Sequence, residues 1–240
     1  MSVIDKDMNF LCTYADYYPS DMMKRIREHK EEAKEVFRKA LHAYADTDEY
    51  DNDSFILNAI LFEAEFHDTE VFEDVMKILT VPADELDDRF GDALTECFST
   101  AMYHLYDGNI DLLLSTLGTD ASIYIKCDCL DIVCQLYEKG LVSREFCRQV
   151  IVDVLDDKYH DQDNALLRST ASGNAALLHF FELKEKIRKC YENHEIDSMI
   201  FGSYSDLIDC MYDYEKVKKK YIRHCGKDDR RISAWQVCSF

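Results

Sequence analysis

Apolar residues recur at intervals of three and four along almost the whole chain, a period that one kind of backbone satisfies. Leu94, Cys97, Phe98, Ala101, Met102 and Leu105 follow it without a gap, which puts all six on one side of an α-helix. Turn formers are too scarce for the alternative. The 240 residues include 7 glycines and 2 prolines, whereas a β-sandwich or an α/β chain of this size needs many more to reverse direction between short strands. Since 47% of the residues are apolar and 12% aromatic, the chain has enough nonpolar surface for a core, which excludes a disordered polymer. The expected class is all-α.

Punctuation along the chain places the helices. Pro19-Ser20-Asp21 opens a long one whose stripe is Ile26, Ala33, Phe37, Ala40, Leu41 and Tyr44. An acidic loop follows over 46–53, then a helix over 53–66 that is apolar on most sides and therefore expected to be buried. Asp68 or Thr69 is expected to cap a helix carrying Val71, Phe72, Val75 and Leu79, closed by Val81-Pro82. Asp107-Gly108 ends the helix that begins near Leu94, and Ile110, Leu113, Leu114 and Leu117 form a short partner. Residues 121–138 make the next helix, ended by Lys139-Gly140, and Ser143 caps its successor with Phe146, Cys147, Val150, Ile151, Val154 and Leu155. Helices over 165–181, 183–193 and 205–221 complete the series.

Two of these helix pairs look alike, and their closing glycines, Gly108 and Gly140, lie 32 positions apart. A self-similar helix pair at that period is the signature of an α-solenoid, in which each unit buries its apolar face on its neighbours. The expected architecture is a right-handed superhelix of about five stacked antiparallel helix pairs, HEAT- or armadillo-like. It forms a single domain over 1–222, followed by a C-terminal tail over 223–240.

Arg89-Phe90-Gly91-Asp92-Ala93-Leu94-Thr95-Glu96, with Leu105-Tyr106-Asp107-Gly108 downstream, resembles a bacterial family catalogued as domain of unknown function 1186. Tyr18-Pro19, Ser143-Arg144-Glu145 and Gly202-Ser203-Tyr204-Ser205-Asp206-Leu207 fit the same pattern, so the resemblance spans about residues 17–210. It implies HEAT-like helical repeats and carries no established activity. Members often have a cysteine-rich zinc-binding tail; here Cys225 and Cys238 stand alone, and that role does not transfer.

The Gly-Asp box has a physical reading of its own. Gly91 suits a positive φ at a loop exit, Asp92 is placed to accept the first free helix amides, and Glu96 adds negative charge near a helix start. As a functional reading, Glu96, Tyr103 and Asp107, spaced by seven and four, fall nearly on one helical face and edge a binding groove.

Other motifs are weaker. A calcium loop starting at Asp46 would need glycine where Asp51 stands and glutamate where Leu57 stands. His42, His67 and Asp68 invite comparison with metal-dependent phosphohydrolases, but Asp68 sits at a helix junction where a cap belongs. No histidine has a glutamate three positions before it, which excludes a di-iron bundle. Cys127, Cys129 and Cys134 lack a second ligand pair for zinc and alternate with Leu130, Ile132 and Val133, so they read as core. There is no phosphate-cradling glycine loop and no Gly-x-Ser-x-Gly elbow.

The net charge of −20 is unevenly distributed: residues 1–100 carry 25 acids and 10 bases, whereas the 216–231 segment carries eight bases, among them Lys218-Lys219-Lys220, against two acids. That gradient opposes direct nucleic-acid binding, which needs a broad basic footprint. The longest apolar run, 55–62, is too short for a bilayer span of about 20 residues. An acidic start without a leader, and cysteines that follow apolar stripes, point to the cytoplasm. The expectation is a non-enzymatic scaffold whose groove binds a protein or peptide, a basic one matching the acidic half, with no catalytic residues, cofactor or metal. An acidic inhibitor or DNA-mimic decoy is the first alternative, and a metal-dependent hydrolase built on His42, His67 and Asp68 the second. Nothing in the sequence sets the oligomeric state.

Overall fold

The structure, a computed structural model, describes residues 4–13, 18–47, 52–159 and 165–213. All regular structure in them is helical, with no strand among the described residues. The middle of the 46–53 loop (48–51), the basic run from Lys218, Cys225, Cys238 and the 223–240 tail lie outside them.

The chain gathers into two compact units, one through Asn109 and the other from Ile110. The first holds α1 (Asp5–Leu11), α2 (Ser20–Glu28), α3 (Lys30–Ala45), α4 (Asp53–Phe66), a 3-10 turn (Thr69–Val71), α5 (Phe72–Leu79), α6 (Ala83–Phe90), α7 (Ala93–Glu96) and α8 (Phe98–Leu105). Its centre is α4, which starts and ends where the sequence places it and is buried along most of its length, from Phe55 to Phe66. Helices α1, α3, α6 and α8 pack on it. Phe62 stacks on Phe37 of α3, with ring centroids 5.4 Å apart, and both are fully buried. Burying such a side chain contributes about 2 kcal/mol.

The second unit holds α9 (Ile110–Thr116), α10 (Ile123–Glu138), α11 (Arg144–Leu155), α12 (Ala165–Leu177), a 3-10 turn (Phe181–Leu183), α13 (Lys184–Glu192), α14 (Ser198–Phe201) and α15 (Tyr204–Tyr212). Its centre is α12, against which α10, α11 and α15 pack. Small side chains along α12, Ser169, Ala171, Ser172, Gly173, Ala175 and Ala176, are all buried; their size lets neighbouring helices approach closely.

The two units repeat one plan. In the first, α3 packs on α4 and α5, and α8 packs on α4; in the second, α11 packs on α12 and α13, and α15 packs on α12. A 3-10 turn follows each central helix, and a positive-φ glycine, Gly91 (47°) after α6 or Gly202 (74°) after α14, closes a short helix further on. At an offset of 112, Ala59, Ala64, His67 and Glu70 correspond to Ala171, Ala176, His179 and Glu182.

Local expectations fare unevenly. Ser143 caps α11 by accepting the Phe146 N–H, and Gly108 and Gly140 take φ of 102° and 73°. The continuous helices over 20–45 and 94–105, however, are each broken, at His29 (φ −106°, ψ 36°) and at Cys97 (φ −133°, ψ −24°). All six residues from Leu94 to Leu105 are still buried, because the halves on either side of the break cover one core. Neither Asp68 nor Asp92 accepts a capping hydrogen bond through its side chain. Asp92 is itself helical (φ −61°, ψ −20°), a geometry that takes its carboxylate away from the first free amides, and its carbonyl serves Thr95 instead.

Candidate functional site

The repeated plan singles out the residue just past each central helix. His67 and His179 both have φ of 54°, a left-handed conformation that costs an ordinary residue about 1 kcal/mol and is usually left to glycine. Both close a helix in the same way: the His67 and Asp68 amides donate to Ala64 and Glu63 carbonyls, and the His179 and Phe180 amides donate to those of Ala176 and Ala175. A histidine where glycine is cheaper directs attention to what the ring does.

In the first unit the junction is strongly charged. Asp68 is 3% exposed and accepts a forked pair of hydrogen bonds from Arg38, Nε at 2.6 Å and Nη2 at 2.7 Å, with Lys34 Nζ at 3.4 Å. Arg38 Nη1 also donates to Glu70 at 2.6 Å. These bases belong to a row at every fourth position of α3. Lys30 donates to the Phe66 carbonyl at 3.1 Å, and His42 lies 3.3 Å from Asp74. Burial by itself raises the pKa of Asp68, but its hydrogen bonds with Arg38 and with Glu63 and the charges of Lys34 and Arg38 bring it below the ordinary carboxylate value.

Glu63, one turn before the end of α4, is fully buried beside Asp68. Burial, then the nearby Asp68 charge and a hydrogen bond with the Asp68 carboxylate, push its pKa up to about 9, so it is neutral at pH 7 and donates its proton to Asp68. The exposed His67 meets His104 of α8 with the two Nδ1 atoms 2.9 Å apart, ring centroids at 4.6 Å and planes inclined at 49°. Tyr103 stands edge-on to His104 at 5.5 Å.

In the second unit the same position has aromatic company. His179 Nδ1 lies 2.8 Å from the Met211 carbonyl, which can only accept, so that nitrogen carries the proton. Its ring stacks on Phe181 at 5.8 Å, and Phe181 meets Tyr212 at 5.1 Å. Lys184 Nζ donates to the Tyr212 hydroxyl at 2.8 Å. Glu182 accepts a fork from Arg144 of α11, at 2.6 and 3.0 Å, as Glu70 takes one arm of Arg38 in the first unit.

The residues read from the sequence are placed differently. Glu96 ends α7 and is exposed; Tyr103 is half-buried on α8; Asp107 lies past the end of α8 and accepts the Asn109 N–H at 2.8 Å. The break at Cys97 puts Glu96 at the end of α7 and Tyr103 on α8, so the two do not share one continuous helix. The hydrolase set is not assembled either: Asp68 faces Arg38 and Lys34, His67 faces His104, and His42 faces Asp74 and Asp46. Among the described residues no three histidine, cysteine or acidic side chains are placed to hold a metal ion. Cys127, Cys129 and Cys134 are buried on α10, and burial pushes the thiols of the first two well above their ordinary value, as expected of core residues.

Pattern reading at a period near 32 passes over these junctions. The signal that finds them is the longer one: His-x-x-Glu followed by an apolar residue at 67–71 and again at 179–183.

Fold and junctions together define an all-helical protein in which one arrangement of helices is used twice. The chain belongs to the family described as protein of unknown function (DUF1186), whose sequence profile matches residues 6–224. No curated protein and no solved structure matches it. Among the described residues, no helix is long and apolar enough to cross a membrane.

Proposed function

We propose that this chain is a non-enzymatic interaction protein that binds a protein or peptide on the surface of its helical repeats. The observation that carries this reading is the open aromatic cluster beside α12. Phe181 is 39% and Tyr212 64% exposed, with His179 stacked on one side and Lys184 on the other. Rings held in place and left at the surface are the side chains that contribute most when a partner covers them. Glu96, Tyr103 and Asp107, with the surrounding acidic surface, are read as a flank suited to basic segments.

The finer architectural reading belongs to the same proposal. Helix pairs packed within each unit support HEAT-like stacking in an antiparallel sense within that unit, in a protein of the cytoplasm. The acidic-decoy reading ranks lower, because Glu65 on α4, Asp74 on α5, and Asp68 and Glu70 between them are engaged by Arg27, Lys34, Arg38 and His42. Affinity capture with the tagged full chain tests the proposal. A reproducible partner whose recovery falls at least tenfold with the F181A/Y212A double variant is expected; a partner retained in full by that variant overturns the assignment of the cluster.

A further inference from the structure

The contact between His67 and His104 calls for more than packing. Two Nδ1 atoms 2.9 Å apart bring two ring nitrogens, each able to act as a metal ligand, face to face. In the metal-free chain, the contact is favourable only if one ring carries its proton on Nδ1 and donates it to the other. A divalent transition-metal ion removes that requirement: both rings then present lone pairs to the ion and keep their protons on Nε2.

We propose that His67 and His104 form a binding site for a borderline-soft divalent metal such as zinc, with water completing the coordination. Two nitrogens each about 2.0–2.1 Å from a tetrahedral ion stand about 3.3 Å apart, so the rings need to part by roughly 0.4 Å. Their positions are fixed by the fold. His67 is locked past the end of α4 by two backbone hydrogen bonds, and His104 is in the last turn of α8, which packs on α4. The 49° tilt keeps the rings from stacking across the gap. His67 is exposed, which leaves a side open to solvent. Asp68, the nearest carboxylate in sequence, is held by Arg38 and Lys34. Residues 1–100, with 25 acids against 10 bases, set up a field that draws cations towards this unit. The left-handed backbone of His67 gains a reason: glycine would close the helix at lower cost and give no ligand. With two protein ligands the ion binds reversibly and ties the end of α4 to the end of α8.

The test is zinc chloride titrated into the full chain, followed by calorimetry and by long-range proton–nitrogen NMR of the imidazoles. Wild type is compared with His67→Gly, which suits the left-handed conformation, with His104→Ala, and with His42→Ala as a control. The expected result is one site at which both imidazoles shift together, weakened at least tenfold in His67→Gly and in His104→Ala but unchanged in His42→Ala. Nickel is expected to bind more tightly than cobalt. Circular dichroism checks that the variants are folded, and His67→Gly alone decides if His104→Ala does not fold. Affinities within twofold of wild type in the folded variants, zinc uptake that leaves both imidazoles unshifted (uptake by thiols), or no uptake at millimolar zinc would each overturn the site.

Discussion

Glu63 shows how one side chain can set the pH response of a whole helix. In the folded chain it keeps its proton up to about pH 9, against an ordinary value of 4.5. Between those values the unfolded chain binds fewer protons than the folded one, so stability falls as pH rises, by about 1.4 kcal/mol per unit. This contribution is present in full below pH 4.5 and is lost as pH passes 9. Glu63→Gln keeps the shape and removes the titration. The variant is expected to be at least as stable as wild type at pH 8, with a flatter urea-midpoint profile between pH 6 and 9. Parallel profiles for the two proteins would mean that Glu63 is ionised in the fold. No sequence pattern marks this residue. It sits in an apolar helix as any surface glutamate might, and only the packing of α3, α6 and α8 on α4 removes water from it.

At the scale of elements, the turn between α10 and α11 was legible because its physics is local. Gly140 takes φ of 73°, Leu141 N–H returns to the Leu136 carbonyl at 2.9 Å, and the Ser143 hydroxyl accepts from Phe146 N–H at 3.1 Å. Ser143→Ala is expected to cost about 1 kcal/mol, and Gly140→Ala about 1 kcal/mol through the backbone, both read from urea midpoints. A loss below 0.3 kcal/mol for Ser143→Ala would show that water serves that amide equally well. The breaks at His29 and Cys97 were not legible. An apolar stripe records which side of a helix is covered, and the stripe runs on when the backbone deviates for one residue and both halves meet the same neighbour. The failure of Asp68 to cap has the same root: its carboxylate does more for the fold by satisfying Arg38 than by accepting an amide.

For the molecule as a whole, the doubled plan puts the most protected backbone at the centres of α4 and α12. Their amides are expected to exchange with solvent most slowly, and α1 and α14, at the edges of their units, faster. Hydrogen-exchange mass spectrometry showing α4 exchanging as fast as α1 would refute this account of the core. The amino-acid sequence by itself determined the helical class, the helix over 53–66 to the residue, and the glycine stops, because period, capping and glycine conformations act over a few residues. Only the tertiary structure decided that His67 meets His104, that Asp68 is enclosed by Arg38 and Lys34, and that Glu63 is cut off from water. Each of those facts joins α4 or its end to helices well separated from it in the chain, and burial and charge pairing depend on what the fold brings near, whatever lies next in the chain.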